Sequence, residues 1–139
     1  KACEIAEEEM DEYVPKMTRL RDSLIDIILD EIDEASLNGH REKRLPNNAN
    51  FYFVAAEGEA IVLHLDSRGI AASTGSACSS KSLKASRTLL AIGLEEQHAH
   101  CSLRLTLSRY TDEEEIDRVI EVVPEVISNL RDMSPLWDR

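Results

Sequence analysis

The sequence predicts one α/β domain, of the α+β kind, in which a small sheet packs against helices. The chain has 139 residues and is 42% hydrophobic, which is the size and composition of one ordinary soluble domain. Apolar residues recur every three to four positions near both ends of the chain, and they alternate strictly in one short segment between them. The predicted order is helix, strand, helix, strand, loop, helix, strand, helix.

The first predicted helix covers residues 3–37, and Asn38-Gly39 ends it because glycine tolerates the left-handed conformation at a helix C-terminus. The sequence begins at Lys1 without a methionine, directly in this helical pattern. We therefore expect a cut end, with the helix joining this domain to a preceding part of a longer polypeptide. The apolar face of the helix contains Tyr13, Met17, Leu20, Leu24, Ile27 and Ile28.

The middle of the chain predicts short elements that are separated by turns rich in glycine, asparagine or serine. They are a polar loop at 40–50, a strand at 51–56, a helix from Glu57-Gly58 to Gly69, a strand at 70–73 and a helix at 86–92 that Gly93 closes.

The last part of the chain predicts a strand followed by a long helix. In residues 102–108, leucines at 103, 105 and 107 face one side, and Arg104 lies on the polar side. Thr111 with Glu114 forms the pattern of a capping box, and Pro124 should kink the helix because it lacks a backbone donor. The predicted buried stripe of this helix is Ile116, Val119, Ile120, Val123, Val126, Ile127 and Leu130.

Composition excludes several classes of function. The net charge of -11 argues against a nucleic-acid partner, which would need concentrated lysine and arginine. No apolar run is long enough for a membrane span, and no secretory leader is recognisable, so the sequence predicts a cytoplasmic protein without a membrane partner. The three cysteines are widely spaced and contain no CxxC pair, which argues against a disulfide framework.

Cys78 is the candidate reactive residue, in the loop 75–80 (GSACSS). An even distribution of acidic residues would place about five in the window 67–94, but the window contains none. It does contain Arg68, Lys81, Lys84 and Arg87, and nearby positive charge stabilises a thiolate by lowering the thiol pKa. The alternative, a small buried hydrophobe, suits an arbitrary cysteine but not this polar loop. Cys3 and Cys101 lack this setting, and we assign both to structure.

Arg104 is the second candidate, because a guanidinium on the polar side of a strand can hold a carboxylate through two parallel hydrogen bonds. The pattern alone favours the alternative, an ordinary surface ion pair in an acid-rich protein.

Two further interpretations of the cysteine and histidine positions are possible. His98, His100 and Cys101, with or without Cys78, form only one cluster, whereas zinc sites usually have two close pairs, so we expect no metal site. A thiol hydrolase would pair Cys78 with His64, His98 or His100, but no spacing rule selects one of them.

Several motifs, in order along nearly the whole chain, resemble cysteine desulfurases of the NifS/IscS type. They are RLPNN at 44–48, EGE at 57–59, GIAASTGSACSSKS at 69–82, LAIGL at 90–94, SLRLT at 102–106 and SPLW at 134–137.

This resemblance implies a homodimeric pyridoxal-phosphate enzyme of the aspartate-aminotransferase fold (fold type I). Such enzymes convert L-cysteine to alanine, leave sulfane sulfur on a cysteine of a mobile loop, and pass it to an iron–sulfur scaffold protein or another acceptor. Matched by motif, Cys78 is similar to the persulfide cysteine and Arg104 to the arginine that binds the substrate carboxylate.

The resemblance also implies that the chain is only part of such an enzyme. The family's cofactor-binding lysine, histidine and aspartate belong to an N-terminal large domain, and no lysine here follows the Ser/Thr-x-His-Lys pattern. Residues 1–139 would be the C-terminal small domain, with 1–37 as the connecting helix and 70–85 as the active-site loop. Alone, the chain should bind no cofactor and turn over no cysteine. The alternative is a non-catalytic sulfur-relay or docking module.

Overall fold

The computed structural model describes residues 1–74 and 85–137, which form a three-stranded antiparallel sheet with helices packed on it. The strand order is β1-β2-β3, and the predicted fold class is confirmed. The elements are α1 (Ala2–Glu31), β1 (Ala35–Leu37), β2 (Asn48–Phe53), α2 (Gly58–Asp66), α3 (Arg87–Ala91), α4 (Glu96–His100), β3 (Ser102–Thr106) and α5 (Glu113–Met133).

The core lies between one face of the sheet and the helices α1, α2 and α5. Strand β2 shows why: Ala49, Phe51 and Phe53 are fully buried, and the residues between them point to the other face. The rings of Phe51 and Phe53 stack with centroids 5.9 Å apart. Over the described residues, no helix combines the length and apolar character that a bilayer span requires.

The long α1 was predicted correctly as a helix, but it ends at Glu31 and not at residue 37. Ile32 is already extended, Glu34 has φ +55°, and Ala35–Leu37 pairs with β2 as an edge strand. The apolar stripe hid this break because Ile32 is buried and continues the helical spacing. Ile25 is a further buried residue of α1 that the predicted face omitted.

Strand β2 begins three residues earlier and ends three residues earlier than predicted. The predicted polar loop 40–50 therefore loses Asn48–Asn50 to the strand, and 54–56 lie outside it. Asparagine has low strand propensity, but the ladder with β3, from Asn48↔Thr106 to Tyr52↔Ser102, outweighs that preference.

Three other local predictions need correction. The predicted strand at 70–73 is reduced to one bridge between Ser73 and Arg104, and α4 was not predicted at all. The capping box of α5 is made by Asp112 and Glu115, one residue after the predicted pair, with the Asp112 carboxylate accepting from the Glu115 N–H at 2.9 Å.

The remaining elements agree with the sequence pattern. Helix α2 and the Ser86-capped α3 occur where predicted, and the leucines at 103, 105 and 107 are buried. Helix α5 buries Ile116, Val123, Val126 and Ile127 as predicted, and also Val122, which the predicted stripe omitted. Pro124 lies inside the helix, and its expected kink stays a prediction.

Candidate active site on the polar face of the sheet

The face of the sheet opposite the core carries the candidate site, and we call it the polar face. Residues paired across an antiparallel sheet lie on the same side, so β2 and β3 contribute to it pair by pair. The pairs are Asn48↔Thr106, Asn50↔Arg104 and Tyr52↔Ser102.

Arg104 lies at the centre of the polar face, between Ser73 and Asn50. Its N–H donates to the Ser73 carbonyl at 2.7 Å, and its own carbonyl accepts from the Ser73 N–H at 3.2 Å. The backbone N–H and C=O of Arg104 both hydrogen-bond to Ser73, on the side away from β2. Asn50 and Arg104 therefore form a non-hydrogen-bonded pair of the β2–β3 ladder. Such pairs have the closest side chains in an antiparallel sheet, with Cα atoms about 4.5 Å apart.

The guanidinium of Arg104 differs from most others in this protein. The residue as a whole is half-buried, and among the described residues its guanidinium has no side-chain hydrogen bond and no ion pair. The ion pair that the pattern alone favoured is thus not formed with the described acidic residues. By contrast, carboxylates pair with Arg19, Arg21, Arg41, Arg68, Arg109 and Arg118.

A buried asparagine supports this face from the side of β1. The Nδ2 of Asn38 donates to Oδ1 of Asn50 at 2.6 Å and to Oγ of Ser102 at 3.2 Å. The Ser102 hydroxyl in turn donates to the His98 carbonyl at 3.0 Å. Arg44, from the RLPNN motif, donates to the Asn38 carbonyl. The two hydrogen bonds of the buried Asn38 amide hold the Asn50 side chain beside Arg104. The Nη1 of Arg44, in contrast, is buried without a partner among the described residues.

The start of α2 packs closely against Thr74 and the residues around β3, at the point where the chain leads towards Cys78. A Cβ on Gly58 would lie 2.6 Å from the Ser102 carbonyl oxygen, 2.9 Å from that of His100 and 3.2 Å from Cγ2 of Thr74. Glu57 caps this helix, with its carboxylate accepting from the N–H groups of Glu59 and Ala60. Thr74 is the last described residue before the segment that contains Cys78. Its side chain packs against Gly58, so the absence of a Cβ at Gly58 leaves room for it.

The cysteines differ in setting. Cys78, with the loop 75–80, Lys81 and Lys84, lies outside the described residues. Cys101 is half-buried, as its assignment to structure requires, and burial raises the pKa of its thiol, assisted by the negative charge of Glu57. Cys3 is exposed on α1, so it contributes no burial and its assignment to structure finds no support there.

The histidines do not assemble a second centre in the part of the chain that the structure describes. The His98 ring stacks on Tyr52, with centroids 4.6 Å apart and planes 14° apart, at one end of the polar face. His100 is exposed and His64 is half-buried on α2. Within residues 1–74 and 85–137, no group of three or more histidines, cysteines or carboxylates is placed to hold a metal ion.

Pyridoxal phosphate does not fit the described residues. A Schiff base needs a lysine that faces an enclosed site, whereas Lys1 and Lys43 are exposed and Lys16 lies in an open groove of mixed charge. Asn50 and Asn38 are the site residues that sequence reasoning missed. The signal available for Asn50 was its alternation with Asn48: the two asparagines are two positions apart in the segment 48–53, and the residues beside Asn50 are apolar.

The three-stranded antiparallel sheet with its packed helices fits fold type I, as the solved structures it resembles show. A solved NifS-like protein superposes with a TM-score of 0.78 and 28% identity, over 91% of this chain and 31% of that one. The NifS-like protein from Rickettsia africae superposes with a TM-score of 0.73 and 22% identity, over 87% and 31% of the two chains, which supports the fold.

The chain belongs to the class-V aminotransferase family, whose model matches residues 2–119. It is 55% identical over its whole length to "Cysteine desulfurase IscS 1" of Archaeoglobus fulgidus, of which it covers 36%. It is 51% identical, over 99% of its length, to "Cysteine desulfurase IscS" of Clostridium botulinum, of which it covers 35%. The chain therefore spans about a third of the length of these curated relatives.

Proposed function

We propose that these 139 residues are the C-terminal small domain of a cysteine desulfurase, in which Cys78 receives sulfur from L-cysteine and Arg104 binds the substrate carboxylate. The names of the relatives support the activity, since they are similar to this chain over its whole length. Arg104 is half-buried and its guanidinium has no partner among the described residues, which supports its role in binding the carboxylate.

The single observation that carries the proposal is the bridge between Ser73 and Arg104. Cys78 follows Ser73 by five residues, and five residues of extended chain reach at most about 18 Å. Chain length therefore limits how far Cys78 can lie from the bridge between Ser73 and Arg104. This limit supports a role for Cys78 towards a substrate whose carboxylate is held at Arg104.

The proposed reaction is L-cysteine plus the Cys78 thiol giving L-alanine plus a Cys78 persulfide. The C–S bond of the substrate breaks, an S–S bond forms on Cys78, and no external oxidant or reductant is needed. The acid-free, basic window around Cys78 favours the thiolate, which is the nucleophilic form.

The sulfane sulfur is then passed to an acceptor protein, such as an iron–sulfur scaffold. Pyridoxal phosphate, the homodimer and the cytoplasmic setting belong to the longer enzyme in this proposal. The cofactor would be held by its large domain, and the chain alone should have no desulfurase activity.

The experiment measures alanine formation from L-cysteine, in the presence of a reductant, by the complete native polypeptide that contains these residues. Cys78→Ser should abolish it, and Cys101→Ser, a matched change at the half-buried cysteine, should preserve it. Mass spectrometry after a single turnover without reductant should find one added sulfur atom on the peptide with Cys78. Cys78→Ala should leave the free energy of unfolding within about 0.5 kcal/mol, because a polar loop residue contributes little burial.

Two results would contradict the proposal. One is added sulfur on Cys101 or Cys3 while Cys78→Ser remains active. The other is a native polypeptide no longer than this chain that accepts persulfide from a donor protein but forms no alanine, which would identify the sulfur-relay module instead.

A further inference from the structure

We propose that Asn50 is a second ligand of the substrate α-carboxylate, beside Arg104. The inference rests on the proposed function, because it names a further contact in the same site. It follows from three features of the polar face: the orientation of the Asn50 amide, its position opposite Arg104, and the lack of a described partner for either donor.

The orientation of the Asn50 amide is set by Asn38. Its Oδ1 accepts the Asn38 Nδ2 at 2.6 Å, so its own Nδ2, with two N–H donors, is directed away from Asn38. Turning the amide over would set two NH2 groups against each other and leave a donor of the buried Asn38 without an acceptor. Asn38 therefore keeps the donor end of Asn50 directed outward.

The position of Asn50 places this donor next to the guanidinium. Asn50 and Arg104 are direct partners in the β2–β3 ladder and form the pair type with the closest side chains. Both side chains are half-buried, and neither the Asn50 Nδ2 nor the Arg104 guanidinium has a hydrogen-bond acceptor among the described residues.

A carboxylate suits these two donors. It has two oxygens with about four acceptor sites, of which a bidentate arginine occupies two. An asparagine N–H can then bind one of the remaining sites without adding charge. We thus expect the pair to recognise a small α-amino acid through its carboxylate.

The test uses Asn50→Asp in the complete native polypeptide. The new carboxylate can still accept from Asn38, but it presents an acceptor and a negative charge where the Nδ2 donors were. We expect the Kd of the product L-alanine, measured by calorimetry, to rise by about 10- to 100-fold, the loss typical of a hydrogen bond to a charged group. The KM for L-cysteine should rise in parallel with a smaller change in kcat.

The matched control is Asn48→Asp, which makes the same charge change on the same strand and face, one pair further from Arg104. It should raise the Kd of L-alanine by no more than about threefold, because Asn48 donates nothing to the carboxylate in this proposal and two charges about 7 Å apart interact weakly at high dielectric. L-Alaninamide, which lacks the carboxylate, should not lose affinity in Asn50→Asp, because it has no negative charge for the new carboxylate to repel. Arg104→Lys should also weaken L-alanine, since an ammonium cannot form the bidentate fork.

The outcomes separate the two proposals. If Asn50→Asp retains the wild-type Kd for L-alanine while Arg104→Lys weakens it, Asn50 is not a ligand and the proposed function stands. Equal losses for L-alanine and L-alaninamide would also overturn the inference, because they would indicate a distorted sheet. If L-cysteine is not turned over but L-alanine binding depends on Asn50 as expected, only the proposed function fails. A wild type that binds no L-alanine overturns both.

Discussion

Gly58→Ala is the substitution whose effect the structure defines most closely. The added Cβ would lie 2.6 Å from the Ser102 carbonyl oxygen and 2.9 Å from that of His100, and both are backbone atoms that cannot rotate away. Overpacking of this kind costs about 1–3 kcal/mol. Replacing glycine in a helix returns at most about 1 kcal/mol through propensity and the unfolded state.

We therefore expect Gly58→Ala to lower the free energy of unfolding by about 1–2 kcal/mol. At about 2.1 cal/mol/K per residue, unfolding 139 residues has an entropy of about 0.3 kcal/mol/K, so Tm should fall by about 3–7 °C. Chemical denaturation of the 139-residue chain, with thermal melting as a second probe, measures both quantities.

The control separates crowding from backbone strain. Gly69 has φ +78°, but a Cβ added there would meet nothing within 4 Å, so alanine and serine at this position should be destabilising to a similar degree. At Gly58 serine should cost more than alanine, because the larger side chain meets the same two carbonyls. A Gly58→Ala chain as stable as wild type would refute the close approach of α2 to β3 and with it the fixed position of Thr74.

Asn38→Ala should destabilise the chain by about 2–3 kcal/mol, because it removes a buried donor that serves both Asn50 and Ser102; unchanged denaturation would show that the network is not formed. In a Cys78→Ala background, Cys101 should be alkylated more slowly than the exposed Cys3 at pH 8, because burial raises the pKa of the Cys101 thiol. The alkylation rate of Cys101 should continue to increase with pH beyond about 8.5, the ordinary thiol pKa. Because the pKa of Cys101 is raised in the folded chain, the protonated thiol stabilises the fold below about pH 8.5, and this contribution is lost as the pH rises further. Equal alkylation rates for Cys101 and Cys3 would contradict the burial of Cys101.

The elements that the sequence predicted well are those whose pattern repeats several times. In helix α5 apolar residues recur every three to four positions, and in strand β3 they recur at every second position. In both elements the apolar side is the side that packs against the core. Strand β1 and helix α4 have only three and five residues, too few for a period to be recognised. The capping box is a different case, because Thr111 with Glu114 and Asp112 with Glu115 both satisfy the motif, and only the geometry of the preceding turn selects the second.

The candidate site was predictable in part for a related reason. Alternation placed Arg104 on the polar side of its strand, a local property. Which residue lies opposite Arg104 depends on the register between β2 and β3, which joins positions 54 residues apart and leaves no local pattern. Alternation within β2 could have placed Asn50 on the polar face, but only the pairing shows that Asn50 lies opposite Arg104 and that Asn38 contacts it.

The division of the sheet into two faces explains how one part of the proposed enzyme can carry part of an active site. The core face buries its side chains against α1, α2 and α5 of the same chain. On the polar face, Arg104 and Asn50 are half-buried and held by contacts from behind and beside them, with no acceptor above them in the described part of the chain. Water or a bound anion can satisfy such donors. In the proposed enzyme, the substrate carboxylate would displace that water, so that this chain would position the substrate while the large domain would hold the cofactor.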